Sequence, residues 1–179
     1  LKNGVLSNFG NYATNSITIS GGWTSKAYAG YNKWRSIDLK NRDLEILVNE
    51  FPEVDDVAAK AWYRGSTATY LDRFADISLR GSLPKIQQIE GVEIVKGRFI
   101  NQADIHNYRK VIVIDEALER ILFRGDDPLG KPVKIHNNIY RVAGVYRGDA
   151  QQRNSMGYIP LTTGPVSYTH LTLPTNREV

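Results

Sequence analysis

The sequence predicts an α+β domain, in which strands and helices are mixed without the strict alternation of a parallel α/β fold. Residues 110–114 form a short apolar run that is typical of a strand covered on both faces. Asp115 follows as an N-cap for a helix with an apolar stripe that ends near Gly125. Two more strands are predicted at 132–135 and 139–146, and they would form a hairpin. A strand, a helix and a hairpin therefore follow one another along the chain.

The other elements follow from periodicity and from breaking residues. Ser16–Ser20 alternates polar and apolar side chains like a half-buried strand, and Pro52 ends a stretch with helical spacing. Arg64-Gly65-Ser66 separates two extended segments, and the asparagines of His136-Asn137-Asn138 tolerate the positive φ of a tight hairpin. The remaining predicted elements are an aromatic loop at 23–35, a helix at about 41–51, extended segments at 54–63, 67–74, 76–80 and 158–161, and a short helix at 84–89 closed by Gly91.

Composition excludes several classes of protein. The 179 residues are 41% apolar and 23% charged, which is typical of a globular domain with its own core. The absence of cysteine excludes a disulfide framework, a thiol nucleophile and a thiolate metal site. The histidines, His106, His136 and His170, are too dispersed to predict a metal site. No apolar run approaches the roughly 18–20 residues of a membrane span, and no signal peptide is recognised.

Positive charge is concentrated at the start of the chain. The net charge is +4, from 23 basic and 19 acidic residues. Lys2, Lys26, Lys33 and Arg35 all precede the first acidic residue, Asp38, so the rest of the chain is balanced. No basic stripe interleaved with aromatic residues appears, and nucleic acid is therefore not a predicted partner.

One segment imitates a phosphate-binding loop. Residues 125–132 fit G-x-x-x-x-G-K, but Pro132 stands where the pattern needs Ser or Thr. Asp126 and Asp127 would repel phosphate, and the segment joins a helix to a strand, whereas a phosphate loop joins a strand to a helix. We interpret it as a turn.

Two acidic pairs could serve a hydrolase. Asp115-Glu116 and Asp126-Asp127 are paired carboxylates of the kind used in glycoside hydrolysis or cation binding. A helix N-terminus and a turn explain them as well, and the hydrolase hypothesis requires both pairs to converge in one pocket. No G-x-S-x-G elbow occurs, and no G-x-G-x-x-G follows a strand. We therefore predict no catalytic, cofactor-binding or metal-binding residue.

The aromatic residues Trp23, Tyr28, Tyr31 and Trp34 lie among Gly, Lys and Ser without helical or strand periodicity. Such a loop could stack on sugars or dock a protein, but local core packing is the more common role of loop aromatics. These residues motivate one hypothesis about function: the chain is a free extracytoplasmic β-rich module that binds carbohydrate or protein. It is the alternative to the function that the family resemblance below implies.

An ordered series of motifs resembles one family. Its members are Lys96-Gly97-Arg98-Phe99-Ile100-Asn101, Asp104-Ile105, the strand 109–114, Leu122-Phe123, Asp127-Pro128-Leu129-Gly130-Lys131, Tyr140-Arg141-Val142-Ala143-Gly144-Val145 and Tyr158-Ile159-Pro160. Together they resemble the extracytoplasmic core domain of MacB-type (MacB/FtsX-like) ABC transporter permeases, strongly over about 92–161 and more loosely over 1–91. Asp115 departs from the family pattern, where a small residue is common.

The resemblance implies a fold and a set of partners. It implies a mixed porter-like lobe, at about 1–69 and 149–165, with a β-rich lobe inserted at about 70–148. Residues 1–9 would leave a membrane helix, on the periplasmic face of the bacterial inner membrane. The expected partners are a second permease copy, an ABC ATPase subunit or domain that hydrolyses ATP, and a membrane-fusion protein or lipoprotein substrate. No catalytic residue is implied.

A second resemblance concerns the end of the chain. Residues 166–179 resemble the translated sequencing-adapter read-through found at the ends of unrelated metagenomic proteins. They interrupt the family pattern where the second half of the porter-like lobe should begin. We therefore expect these residues to be non-native and the first lobe to be incomplete.

Overall fold

The computed structural model describes residues 16–20, 22–35, 46, 50, 56–148, 155–164 and 172–176. Most of the helix predicted at about 41–51 lies outside the described residues, and the two described positions within it are helical.

Strands dominate the described part of the chain, and three short α-helices lie within residues 56–148. The elements are β1 (Ser16–Ser20), β2 (Asp56–Val57), β3 (Lys60–Tyr70), β4 (Arg73–Ser82), α1 (Ile86–Ile89), β5 (Ile94–Gly97), α2 (Gln102–His106), β6 (Val111–Asp115), α3 (Glu116–Phe123), β7 (Pro132–Ile135), β8 (Asn138–Tyr146), β9 (Ser155–Pro160), a 3₁₀ turn (Leu161–Thr163) and β10 (Thr172–Asn176). Both β5 and α2 were missed by the sequence analysis.

The strands form one mixed sheet, in the order β1-β10-β3-β4-β9-β6-β8-β5, with β2 beside β10 and β7 beside β3 and β8. β9 is parallel to β4 and antiparallel to β6, and β6 is parallel to β8. A mixed sheet with helices on its faces confirms the α+β class.

Both faces of the central strands are covered. In β6, Ile112 and Ile114 belong to a core cluster that includes Leu118 and Leu122 of α3, while Val113 belongs to a second cluster with Ile86 of α1. The three β6 side chains are 0% exposed. The prediction of a strand buried on both faces is therefore confirmed, because successive side chains of a strand point to opposite sides.

The break predicted at Arg64-Gly65-Ser66, between extended segments at 54–63 and 67–74, is wrong. β3 runs through these residues, and its register against β4 shifts between Tyr63 and Ser66. Gly65 has φ +71°, which a glycine adopts at little cost, so the chain makes a β-bulge instead of reversing. The reversal comes after Tyr70, where Leu71 has φ +54°.

The β7–β8 hairpin forms as predicted, with a different residue at its strained position. Strand β7 pairs antiparallel with β8. The positive φ of 51° lies at His136 rather than at an asparagine. The His136 Nε2 atom lies 2.9 Å from the Ser66 hydroxyl oxygen, and this hydrogen bond holds the turn against β3.

Candidate functional site

Asp115 is a structural carboxylate. It is 6% exposed and caps α3, where its Oδ1 accepts a hydrogen bond of 2.6 Å from the Leu118 amide. Its Oδ2 accepts a second bond of 2.8 Å from the Met156 amide, which ties β9 to the start of α3. Burial raises the pKa of Asp115, although these hydrogen bonds act in the opposite direction. The predicted N-cap is confirmed.

The second acidic pair lies at the other end of the same helix. Asp126 is exposed, and its Oδ2 lies 3.9 Å from Arg73 Nη1. Asp127 Oδ1 accepts a hydrogen bond of 3.1 Å from the Leu129 amide, as expected of a turn residue. Seven helical residues, 117–123, or about 10 Å of helix, lie between the two pairs. They do not converge, so the hydrolase hypothesis lacks its pocket.

The segment that imitates a phosphate loop joins α3 to β7, as the sequence analysis expected. The Gly130 amide donates to the Val142 carbonyl at 2.8 Å, and the Lys131 amide donates to the Pro128 carbonyl at 3.1 Å. These amides are engaged within the fold, in contrast to those of a loop that cradles phosphate. The segment is a turn.

The histidines lie apart. His106 ends α2, His136 lies in the β7–β8 turn, and His170 is outside the described residues. Within the described ranges, no three His, Asp or Glu side chains gather as a metal site would require. In the same part of the chain, no helix has the length and hydropathy to cross a membrane.

The aromatic loop, predicted at 23–35 and taken with the adjoining Gly22 as residues 22–35, presents its rings to solvent. The exposed fractions are 67% for Trp23, 83% for Tyr28, 60% for Tyr31 and 67% for Trp34. The prediction that these aromatics form a local core is therefore wrong. Lys26, Lys33 and Arg35 are also exposed, and the Arg35 guanidinium lies 4.2 Å from the centre of the Tyr31 ring.

Backbone hydrogen bonds close this loop at its base and at its tip. At the base, the Thr24 amide donates to the Arg35 carbonyl at 2.9 Å and the Trp34 amide donates to the Thr24 carbonyl at 2.7 Å. At the tip, Tyr28 and Tyr31 exchange backbone bonds of 3.2 and 3.0 Å. Short loops with closed ends are frequently functional.

A second feature is a largely buried ion cluster on the α1 side of the sheet. Glu90, at the end of α1, pairs with Arg80 of β4 and with Lys60 of β3, the latter at 3.0 Å. The Tyr158 hydroxyl of β9 donates to Glu90 at 3.1 Å. The side chains of Lys60, Arg80 and Glu90 are 11–14% exposed. This ion cluster joins three strands and a helix through one carboxylate.

The motif residues that carry the family resemblance have packing roles. Gly97 pairs with Gly144. An added Cβ would lie 2.3 Å from the Ala143 carbonyl oxygen at Gly97, and 2.3 Å from the Arg98 carbonyl oxygen, just after β5, at Gly144. Arg98 donates to both carboxylate oxygens of Asp104, at 2.6 and 3.0 Å. Asp104 is 0% exposed and forms a capping box with Asn101 at the start of α2. The sequence pattern therefore reflects close backbone contact and an ion pair to a buried carboxylate.

Comparison with known proteins agrees with this architecture. A family model described as the MacB-like periplasmic core domain matches residues 1–177. The macrolide export ATP-binding/permease protein MacB of Campylobacter fetus is 28% identical over 162 residues, which cover 89% of this chain and 24% of that protein. The protein of the same name from Bartonella henselae is 28% identical over 166 residues, with the same coverage of 89% and 24%. The chain thus spans about a quarter of these relatives.

Solved structures share the fold. The periplasmic region of MacB from Actinobacillus actinomycetemcomitans superposes with a TM-score of 0.76 at 20% identity, covering 98% of this chain and 80% of that one. The extracellular domain of the ABC-type transporter YknZ, from Gram-positive bacteria, gives 0.73 at 20% identity, covering 91% and 84%. The fold and the family model thus define the class of protein as a periplasmic core domain. The chain belongs to the family of MacB-like periplasmic core domains.

Proposed function

We propose that this domain is non-catalytic and couples ATP-driven motion of membrane helices to export or to engagement of a partner. ATP is hydrolysed on a separate nucleotide-binding subunit or domain, and two permease copies act together at the periplasmic face of the bacterial inner membrane. A membrane-fusion protein or a lipoprotein substrate is a further partner. Macrolides, which the relatives' name gives as their cargo, are the first substrates to test.

The continuity of the sheet carries this proposal. β9 lies between β4 and β6, so the chain that returns after residue 148 is hydrogen-bonded into the middle of the domain. One predicted lobe comprises 1–69 and 149–165, and the other comprises 70–148. The ion cluster is a second connection between them, because Lys60 lies in the first lobe and Arg80 and Glu90 lie in the second. Displacing one lobe would therefore displace the other, as a coupling element requires.

Spin labels on the full-length transporter test the coupling without a known substrate. The chain has no cysteine, so Arg64→Cys, at an exposed site, gives one label per copy once cysteines elsewhere are replaced. We expect a label-to-label distance within a dimer, and we expect ATP binding to shift it. Identical distances with and without ATP, or one label per particle, would contradict the proposal.

Variants of two ion pairs sharpen this test. Glu90→Gln removes the carboxylate shared by Lys60 and Arg80, and Glu93→Gln removes the exposed partner of Arg147. In Glu90→Gln we expect a smaller ATP-dependent shift in the label-to-label distance, or a broader distribution of that distance. In Glu93→Gln we expect the shift to persist. An equal effect of both variants would show that the ion cluster has no part in transmission.

The exposed aromatic rings also favour the alternative function, a free module that binds carbohydrate or protein. Membership of the permease domain family weighs against it. The gene upstream of Leu1 distinguishes the two functions: a transmembrane helix supports the permease, and a signal-peptide cleavage site supports the free module.

We further propose that residues 166–179 are non-native. We also propose that the rest of the chain is divided into the two lobes given above. The first proposal rests on the resemblance of residues 166–179 to adapter read-through. The pairing of β10 with β1, β2 and β3 and the family match to residue 177 weigh against it. An overlapping gene copy is expected to diverge after residue 165. A copy that continues with the same 14 residues would overturn the proposal.

A further inference from the structure

We propose that the aromatic loop, residues 22–35, is the docking surface for a protein partner with an acidic face. This inference rests on the proposed function, because it specifies where partner engagement takes place. Four rings, Trp23, Tyr28, Tyr31 and Trp34, are 60–83% exposed within 12 consecutive residues. Exposed apolar groups concentrated in this way mark interaction sites, whereas single exposed apolar residues are ordinary.

Charge selects an acidic partner. The loop contains Lys26, Lys33 and Arg35 and no acidic residue, so it carries +3 on a chain whose net charge is +4. All three side chains are exposed. Complementary potentials steer association and exclude partners of the same charge.

The loop is preformed for binding. Its base is closed at Thr24 and its tip is a two-residue reversal, in which Ala29 has φ 49° and Gly30 has φ 81°. Trp34 also has a positive φ, 67°. Non-glycine residues in this region carry local strain, which persists only where the surrounding structure holds it. A preformed loop loses little conformational entropy on docking, which favours affinity.

The type of side chain and the shape favour a protein over other occupants. Trp, Tyr and Arg are the residues that dominate binding energy in protein interfaces. Small-molecule and sugar sites are concave and present convergent polar groups, whereas this loop projects its rings outward from a closed hairpin. Membrane-surface binding typically uses an amphipathic helix, and the loop has no helical residue.

Photocrosslinking in cells tests the docking surface on the full-length transporter. The probe is p-benzoylphenylalanine in place of Tyr28, with Tyr108, 69% exposed and outside the loop, as the matched control position. Adducts are identified by mass spectrometry down to the crosslinked peptide. We expect the Tyr28 position to capture a protein through an acidic peptide, and the Tyr108 position not to capture it.

Charge reversal completes the test. Lys26→Glu with Lys33→Glu should lower the adduct yield about tenfold or more, because two complementary contacts become repulsive. Lys131→Glu with Lys134→Glu, two exposed lysines elsewhere, should leave it unchanged. The proposal is overturned by a lipid or glycan adduct alone, by no adduct, by the same adduct at Tyr108, or by a yield that ignores the loop charges.

The spin-label experiment separates the two failures. If ATP still shifts the label distances and the Tyr28 adduct is absent, the docking surface alone is wrong. If neither result is obtained, the proposed function fails as well.

Discussion

The guanidinium of Arg80 lies 3.9 Å from the centre of the Trp62 ring, directly across the β3–β4 pairing. Its Nη1 also donates to the Tyr158 hydroxyl at 3.2 Å and pairs with Glu90. One side chain of β4 thus contacts a residue of β3, a residue of β9 and the end of α1. Its position makes the ion cluster a determinant of stability, as well as a candidate for transmission.

Glu90→Gln should destabilise the 179-residue chain by about 3 kcal/mol, because two largely buried cations lose their carboxylate. Glu93→Gln, which breaks the exposed pair with Arg147, should cost less than about 1 kcal/mol. Urea unfolding followed by tryptophan fluorescence measures both. Equal losses would mean that the buried cluster contributes no more than a surface pair.

Asp104 should make the free energy of unfolding depend on pH in the acidic range. Burial alone would raise the pKa of Asp104, but the hydrogen bonds from Arg98 and the Asn101 amide, with the charges of Arg98 and Arg109, outweigh it and lower the pKa. The unfolded state therefore takes up the proton first as pH falls. The stability of the wild type relative to Asp104→Asn should be greatest above pH 3.8, the ordinary pKa of an aspartate. It should be lost as the pH falls through the lowered pKa of Asp104.

Denaturant titrations of the two proteins from pH 2.5 to pH 7 measure this difference as a function of pH. A difference that stays constant with pH would contradict the lowered pKa.

Asp115 should show the opposite pH dependence. Burial raises its pKa, so the folded state holds the proton to higher pH than the unfolded state. The stability of the wild type relative to Asp115→Asn should therefore fall as pH rises from 3.8 through the raised pKa. Asparagine keeps one acceptor for the Leu118 amide, but its NH2 group cannot accept from the Met156 amide, so the substitution adds a pH-independent loss to the effect of the charge.

The same titration measures the effect, and Asp115→Ala serves as the control for the cap itself. Relative to Asp115→Asn, Asp115→Ala should cost about 0.5–2 kcal/mol at every pH, because neither variant titrates at this position. A relative stability that increases with pH would show that the hydrogen bonds to Leu118 and Met156 outweigh burial.

Gly144→Ala should disrupt the β5–β8 pairing. An added Cβ would lie 2.3 Å from the Arg98 carbonyl oxygen, so the strands must separate. We expect a loss of about 1–3 kcal/mol, typical of overpacking. Gly22→Ala, where an added Cβ meets nothing within 4 Å, is the matched control and should change the free energy of unfolding by less than about 0.5 kcal/mol. Thermal unfolding followed by circular dichroism compares them.

Sequence periodicity was most informative where local pattern and burial agree. The apolar run at 110–114 and the N-cap Asp115 predicted β6 and α3, because a strand buried on both faces and a capped helix each leave a local signature. The ordered glycine and arginine motifs also identified the family, since Gly97, Gly144 and Arg98 meet close-contact requirements that few residues satisfy.

Local pattern was ambiguous where one residue type suits two geometries. Gly65 is compatible with a turn or with a β-bulge, and pairing with β4 decides for the bulge. The four large rings of the aromatic loop suit a packed segment as well as an exposed one. Their exposure is a property of the tertiary structure, and the local sequence did not predict it.

By itself, the sequence determined the α+β class, the capped helix after the buried strand, the absence of a working phosphate loop, and the family. Only the tertiary structure decided that β9 inserts between β4 and β6, that Glu90 gathers Lys60 and Arg80, and that the rings of residues 22–35 face solvent. The physical reason is sequence separation. Caps and periodicity depend on residues within one or two turns of each other, whereas strand order and ion clusters join residues that are tens of positions apart.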